Sequence, residues 1–325
     1  MTTPPGPQLR PPRGEADAGA LLAIRQECAA QDGFDPLSTV EALPTRDDLV
    51  AQLRAAAYAP ERYPLVEFNG EVIAYGRIND WIEGDGTHVW LHLGWVRPAW
   101  RKRNVGSALL RELEQRIRRL AAAEGAPRWE FAANASSTEL EATQLLLDNG
   151  YRPGYSLLEM GLDWAAFDAA PRAPWPDGFT LRPATAADAP ALARSVAEAY
   201  RDEYPDERYH EPMDVAAYAD ELAGPRFDLS LAQVAWAGDE PAGQVIPLIE
   251  RGRAEIYEVS VRPAHRRRGL ARALLARQLD ELRARGVAVV RLHTMAEFPT
   301  QAATLYQSLG FRVLKKFPRY RKASM

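Results

Sequence analysis

The basic loop at residues 266–269 joins a strand of β-forming residues, 255–261, to an amphipathic helix predicted over residues 271–286. A helix N-terminus presents unpaired backbone N–H groups and a partial positive charge, so a tight loop there can surround a phosphate or pyrophosphate. Gly269 lets the backbone turn, and the arginines before it add charge and fork-shaped donors. The segment therefore predicts an anion-binding site built for a coenzyme.

Other interpretations of this loop are weaker. Neither the G-x-G-x-x-G pattern of dinucleotide sites nor the G-x-x-x-x-G-K-[ST] pattern of nucleoside triphosphate sites occurs around it. An arginine run can also be a solvated helix start or a nucleic-acid patch. The strand before the loop, Gly269 itself and the downstream Tyr306 favour the coenzyme site.

Several separated motifs resemble one family. Arg266-x-x-Gly269-x-Ala271 follows Val-x-Val-x-Pro and precedes Leu305-Tyr306-x-x-Leu-Gly-Phe. Together these are similar to the motifs of the Gcn5-related N-acetyltransferases (GNAT family), whose central loop binds the pyrophosphate of acetyl-CoA. The resemblance implies acetyl-CoA as co-substrate, no metal, and a coenzyme site made of Val259, Ser260, Val261, Arg266, Arg267, Arg268, Gly269, Leu270, Ala271 and Arg272.

Composition sets the remaining limits. With 325 residues, 46% hydrophobic and 26% charged, the chain has the make-up of a globular protein and is long enough for two domains. The net charge of −4 gives no global attraction for nucleic acid or anionic membranes. Cys28 is the single cysteine, which excludes an intramolecular disulfide. The first residues lack an export signal, and no apolar run approaches membrane-spanning length, so we expect a cytoplasmic protein that acts on a small molecule.

An internal repeat organises the sequence. Leu9-Arg-Pro is echoed by Leu181-Arg-Pro, the segment at 95–108 by that at 260–273, and Asn149-Gly-Tyr by Leu309-Gly-Phe. A proline-rich stretch at 168–178 lies between the copies. We therefore predict two domains, residues 1–170 and 178–325. The resemblance implies an α/β fold class, with two tandem GNAT folds that each have a mixed, splayed central β-sheet flanked by helices.

The two copies are not equivalent at the positions that matter for chemistry. Family members with a glutamate base carry it eleven residues before the loop, where this chain has Glu255 in the second copy and Trp90 in the first. At the positions that align with Gly269 and Tyr306, the first copy has Asn104 and Leu146. Asparagine tolerates a left-handed turn, but leucine donates no proton. The resemblance to tandem family members therefore predicts a catalytic C-terminal copy and a degenerate N-terminal one.

The predicted catalytic residues are Glu255 as general base and Tyr306 as the acid that protonates the leaving thiolate. Backbone groups of residues 259–261 are expected to pair with the pantetheine arm and to stabilise charge on the carbonyl oxygen. Glu258 competes with Glu255 for the role of base. Strand alternation predicts that these two carboxylates face opposite sides of the sheet.

The acceptor is predicted to be a primary amine of a small molecule. The segment at 200–214 holds six acidic residues among tyrosines, so it suits a cationic amine such as an aminoglycoside-like sugar, a polyamine or an amino-acid derivative, although a solvated loop is the favoured explanation. His210 has no partner spacing for a metal. The oligomeric state is open. The alternative function is a non-catalytic acyl-CoA-binding sensor or scaffold; the pairing of Glu255 with Tyr306 in one copy argues against it.

Overall fold

The computed structural model describes residues 6–201, 213–250, 252–297 and 302–324. The chain forms two compact units: unit 1 is Met1–Tyr155 with Phe317–Met325, and unit 2 is Ser156–Lys316. The predicted domain limits, 1–170 and 178–325, follow the sequence repeat and remain a prediction. The two compact units have different limits, because the last strand of the chain begins in unit 2 and ends in unit 1.

Unit 1 is a sheet with helices on both faces. Its strands are β1 (Gln8–Arg10), β2 (Leu65–Phe68), β3 (Glu71–Ile82), β4 (His88–Val96) and β5 (Trp129–Asn134), and its helices are α1 (Ala18–Asp32), α2 (Arg46–Ala56), α3 (Val105–Glu124) and α4 (Leu140–Asp148). The strands pair in sequence order, with β4 and β5 parallel. The residues from Phe317 onward add one more antiparallel strand beside β5.

Unit 2 repeats this plan. Its strands are β6 (Arg152–Leu162, in unit 2 from Ser156), β7 (Thr180–Leu181), β8 (Gln233–Ala237), β9 (Glu240–Glu250), β10 (Arg253–Val261), β11 (Val289–Met295) and β12 (Phe311–Ala323, in unit 2 to Lys316). Its helices are α5 (Trp164–Ala169), α6 (Ala189–Arg201), α7 (Val215–Ala223), α8 (Leu270–Ala284) and α9 (Ala302–Gln307). The strand order is β6-β11-β10-β9-β8-β7, and β10 and β11 are the parallel pair.

Each face of the unit 2 sheet carries its own hydrophobic core. Helix α8 covers one face with leucines such as Leu274, Leu275 and Leu279, which are fully buried. Helices α6 and α7 cover the other face through Leu192 and Leu222. The predicted helix after the basic loop and the strand after it are confirmed, because their apolar periodicity matches these buried faces.

The parallel strands of unit 2 pair over only four residues. Arg253–Ile256 of β10 lie beside residues 289–292 of β11, and within the described part of the chain no later residue of β10 pairs with β11. At the same point the pairing of β10 with β9 shifts by one residue, so Tyr257 forms a β-bulge. The strands therefore separate and leave one backbone edge of β10 open.

None of the helices in the described ranges is long and apolar enough to cross a bilayer.

Candidate active site

A cleft of about 470 Å³ opens in unit 2 where β10 and β11 separate. Ten of the twelve predicted site residues line it, namely Val259, Ser260, Val261, Arg266, Arg267, Gly269, Leu270, Ala271, Arg272 and Tyr306. Arg268 and Glu255 do not. The cleft also contains His293 and Thr294, which the sequence analysis did not assign to the site, and Tyr200, the first residue of the acidic segment at 200–214.

The loop before α8 makes its turn with two left-handed residues. Gly269 has φ +81° and immediately precedes the first helical residue, Leu270, while Arg267 has φ +61°. Glycine adopts this conformation freely, whereas an L-residue such as arginine does so at a cost. The turn brings the first residues of α8 to the wall of the cleft, as an anion-binding helix N-terminus requires.

Three of the four arginines in this region already bond to the protein. The guanidinium of Arg266 donates to the carbonyl oxygens of Val261, at 3.1 Å, and of Ala199. That of Arg272 donates to the hydroxyl of Ser308. These bonds brace the loop and the start of α8.

Arg268 turns away from the cleft. It donates to the carbonyl oxygen of Asp177 at 2.8 Å, and its guanidinium lies 4.4 Å from the ring centroid of Phe179. Arg267 lines the cleft and has neither an ion pair nor a side-chain hydrogen bond with any residue that the structure describes. Arg267 is therefore the arginine best placed to contact an anion there.

The bulge at Tyr257 changes which way the strand carboxylates face. Ile256 and Val259 both pack on the α8 side, although they are three residues apart. Tyr257 packs on the opposite core, and Glu258 accepts a hydrogen bond from Tyr200 of α6, so both lie on the α6 and α7 side. Glu255 precedes Ile256 and faces that side too. The predicted opposite orientation of Glu255 and Glu258 is wrong, because strict alternation fails at a bulge.

Glu255 is joined to the cleft through His293. Its carboxylate lies 3.0 Å from Nδ1 of His293, whose side chain is among the cleft residues. On β6, the directly opposite partner of His293 is Glu159, which is fully buried and has its carboxylate 3.7 Å from Nε2. Glu159 also lies 3.2 Å from the guanidinium of Arg291. A buried carboxylate–histidine–carboxylate row results.

The row holds His293 as a cation. Burial by itself lowers the pKa of this imidazole, but the hydrogen bonds and negative charges of Glu159 and Glu255 outweigh it and raise the pKa to about 9. With both ring nitrogens protonated, Nδ1–H donates to Glu255 and fixes the carboxylate.

The carboxylate of Glu258 has different contacts from that of Glu255. It is buried, and the hydroxyl of Tyr200 donates to it at 3.1 Å. Burial and the charge of Glu258 raise the pKa of the neighbouring Tyr218. A carboxylate enclosed by two tyrosines is less accessible to an acceptor than Glu255.

Tyr306 lies in α9 with its side chain in the wall of the cleft and its ring in edge contact with Phe311, at a centroid distance of 6.0 Å. It is 7% exposed, so its hydroxyl faces a largely desolvated space. Of the acidic segment at 200–214 that is proposed to shape the acceptor site, residues 202–212 lie outside the described residues, and these include Asp202, Glu203, Asp206, Glu207, His210 and Glu211. Asp214 is described and caps the first turn of α7.

The residues that sequence reasoning missed left faint signals. Glu159 is a lone carboxylate in a mostly apolar strand, and His293 is one of two ionisable residues, with Arg291, in another. Pro247 interrupts the apolar run of β9 directly opposite Ile256, where the bulge begins. A proline inside a central strand is typical of such an irregularity.

Unit 1 has a matching cleft of about 440 Å³, lined among others by Lys102, Asn104 and Gly106. The turn before the central helix is also present in unit 1, where Lys102 and Asn104 are the two left-handed residues, with φ +57° and +63°. The loop arginine differs: Arg101 is paired with both carboxylate oxygens of Asp32, at 2.6 and 2.8 Å, which raises its pKa.

Trp90, which aligns with Glu255, is fully buried in the core beneath α3. Strand β4 pairs with β3 without a bulge, so Trp90 faces the α3 side, whereas Glu255 faces away from the corresponding helix of unit 2. The two residues align in sequence without occupying equivalent places. Leu146, which aligns with Tyr306, is likewise buried in this core.

The comparisons with known proteins agree with this geometry. The family model for the acetyltransferase (GNAT) family matches twice, at residues 29–140 and 193–311. Among curated relatives, the mycothiol acetyltransferase of Geodermatophilus obscurus is 30% identical over 91% of both chains, and that of Salinispora tropica is 31% identical over 90% of this chain and 88% of its own. A GCN5-related N-acetyltransferase from Sphaerobacter thermophilus superposes with a TM-score of 0.73 at 25% identity, over 99% of this chain and 97% of the other. The chain is therefore an acyltransferase that belongs to the GNAT acetyltransferase family and carries two copies of its fold.

Proposed function

We propose that unit 2 transfers an acetyl group from acetyl-CoA to a primary amine of a small molecule. The observation that carries this proposal is the cleft between the separated strands, which has Tyr306 in its wall and reaches Glu255 through His293. Unit 1 keeps the fold and the turn but has buried Trp90 and Leu146 at the aligned positions, so it takes no part in proton transfer.

The residues present suit the coenzyme. The open edge of β10 offers unpaired backbone groups to an extended amide-containing arm, in the way that another strand would. The turn at Gly269, the start of α8 and the free guanidinium of Arg267 together offer donors and positive charge to a pyrophosphate. When bound, acetyl-CoA supplies the acetyl thioester.

Glu255 accepts the proton that the acceptor ammonium must lose before its nitrogen becomes a nucleophile. His293 holds the carboxylate from one side at 3.0 Å and keeps it oriented. His293 is thus a positioning residue, and Glu159 positions His293 in turn.

Tyr306 donates its phenolic proton to the sulfur that leaves. Its position on α9, in the wall of the cleft, is what such a donor requires.

The curated relatives are named mycothiol acetyltransferases. The acceptor of those enzymes is therefore the first amine to assay with this chain. A panel of aminosugars, polyamines and amino-acid derivatives covers the cationic acceptors that the acidic segment at 200–214 suits.

The test is thiol release from acetyl-CoA with this panel, comparing the wild type with Glu255→Gln and Tyr306→Phe. Loss of a positioned acid or base lowers turnover by about 100-fold or more. Glu255→Gln should lower it most below the pKa of the amine and leave coenzyme affinity nearly unchanged. Glu240→Gln and Tyr58→Phe, two exposed side chains, are the matched controls. Wild-type turnover in both active-site variants would remove these residues from the mechanism.

A further inference from the structure

Unit 1 contains a second cleft, of about 600 Å³, on the side of its sheet that α1 and α2 cover. Three arginines line it: Arg25 from α1, Arg77 from β3 and Arg319 from the terminal strand β12. None of them belongs to the loops that the family motifs mark. This arginine cleft has no part in the acetyl transfer proposed for unit 2.

The strand register brings two of the arginines into one row. Arg77 lies opposite Leu93 of β4, and Arg319 lies opposite Asn134 of β5. Since β4 and β5 pair up to His92 and Ala133, Leu93 and Asn134 are the next residues on the two middle strands. With strands about 4.8 Å apart, the two arginines start about 14 Å from each other, within reach of one ligand between their long side chains.

Arg25 adds a third guanidinium above this row. It lies 4.4 Å from the ring centroid of Trp95, which stacks on Tyr75 at 4.7 Å. The aromatic pair fixes Arg25 in place without neutralising it.

Three carboxylates also line this cleft, but they stand apart from its arginines. Within the described part of the chain, no carboxylate lies within ion-pair distance of Arg25, Arg77 or Arg319. The Nε atoms of Arg25 and Arg77 are buried and have no acceptor among the residues that the structure describes. Buried donors in native proteins are nearly always satisfied. Burial lowers the pKa of Arg319, and the charge of Glu139 offsets this effect only in part.

These carboxylates accept hydrogen bonds from groups other than the three arginines. Glu41 accepts from the backbone N–H of Asp35 at 3.0 Å. Asp48 caps the first turn of α2 through Thr45. Glu139 accepts from the backbone N–H of Ser136 at 2.6 Å, and its burial raises its pKa.

We propose that the arginine cleft of unit 1 binds a small organic anion that carries carboxylate or phosphate groups. A planar guanidinium donates two parallel hydrogen bonds to either oxyanion, and three of them around one cleft suit a ligand with more than one anionic group. The volume is that of a metabolite site. The cleft shares Gly94, Trp95, Glu139 and Ala142 with the smaller cleft of unit 1, so occupation of one alters the walls of the other.

The test is isothermal titration calorimetry on the full chain with two probes, inorganic phosphate and succinate, at ionic strength held constant with KCl. We expect saturable binding of at least one probe, which tells a phosphate site from a dicarboxylate site. Arg77→Gln and Arg319→Gln should each weaken it by about tenfold or more, the loss expected for one charge-assisted hydrogen bond. Arg111→Gln, an exposed arginine on α3 of the same unit, should leave it unchanged.

Because Arg319 sits in a core strand, Arg25→Gln on the helix above provides a second variant if Arg319→Gln fails to fold. Heats no larger than those of KCl alone for both probes would overturn the proposal. Wild-type affinity for the probe in both Arg77→Gln and Arg25→Gln would also overturn the proposal, since binding would then lie outside the cleft. Acetyl transfer by unit 2 is measured separately, so failure of either proposal leaves the other intact.

Discussion

At the scale of residues, the site of unit 2 depends on a charge that the fold creates. His293 would be neutral at pH 8 in water, yet it is held between Glu255 and Glu159 in a space from which water is largely excluded. A buried carboxylate such as Glu159 is costly unless a cation meets it. The imidazolium of His293 and the guanidinium of Arg291 provide that charge, and Glu255 is aligned as a consequence.

This arrangement predicts a pH-dependent contribution to stability. Because the folded-state pKa of His293 is raised from 6.5 to about 9, its contribution is complete below pH 6.5 and is lost as the pH rises through 9. In urea unfolding, the difference between the wild type and His293→Gln should therefore shrink over this window, by up to about 3 kcal/mol. His265→Gln is the control: the pKa of His265 is lowered from 6.5, so this residue is neutral in both states above about pH 7.5 and its loss should leave the profile unchanged there. A constant difference between pH 6 and 10 would show that His293 is not held as a cation.

At the scale of elements, both copies build the same turn before their central helix from different residues. Gly269 in unit 2 and Asn104 in unit 1 occupy the left-handed region and directly precede α8 and α3. Among L-residues, asparagine tolerates the left-handed conformation comparatively well. Alanine has no side-chain hydrogen bond to offset the cost of this conformation. The requirement therefore lies in the backbone conformation, and side-chain identity follows from it.

Substitutions at this turn should follow that order. Gly269→Ala should destabilise unit 2 by about 1–2 kcal/mol, the cost of a left-handed alanine, and weaken acetyl-CoA binding. Gly269→Asn, the residue that unit 1 uses, should cost less in both respects. Chemical denaturation and coenzyme titration of the two variants measure these effects. Equal effects of alanine and asparagine would show that the turn is not the limiting feature.

The bulge at Tyr257 is the second decisive element. By adding one residue to β10, it turns Tyr257 and Glu258 to the same side as Glu255 and separates β10 from β11. Strand β4 of unit 1 has no such irregularity against β3, and Trp90 is buried there. The loss of a base in the N-terminal copy is therefore a change of strand geometry as well as of one residue.

At the scale of the whole molecule, the chain does not divide at one point between its repeats. Residues 319–323 of β12 follow both repeats in sequence but pair with β5 of unit 1, where Tyr320 is buried. Arg321 and Lys322 form ion pairs with the buried Glu83 and Glu114, at 2.7 and 2.6 Å.

Truncation after Lys316 should therefore destabilise unit 1, although only residues distant in sequence are removed. It would expose the edge of β5 and leave Glu83 and Glu114 with fewer cations, and loss of one buried partner alone costs about 3–5 kcal/mol. Thermal unfolding and solubility report the effect. Lys316→Gln, at an exposed lysine, is the control. Wild-type stability of the truncated chain would refute the assignment of the last strand to unit 1.

The sequence by itself determined the fold family, the repeat and most of the cleft. These features depend on local patterns: apolar periodicity in α8 and β11, a left-handed glycine before a helix, and motif residues close together along the chain. Ten of the twelve predicted site residues line the cleft for this reason.

Only the tertiary structure decided which way Glu255 faces, that His293 and Glu159 support it, and which strand completes each unit. Each of these depends on a contact between residues far apart in sequence: Pro247 opposite Ile256, Glu159 opposite His293, and Tyr320 opposite Ala133. Periodicity records the direction of a side chain relative to its own element, and one inserted residue reverses it. Strand register is set by the packing of the whole sheet, so no local pattern could have supplied it.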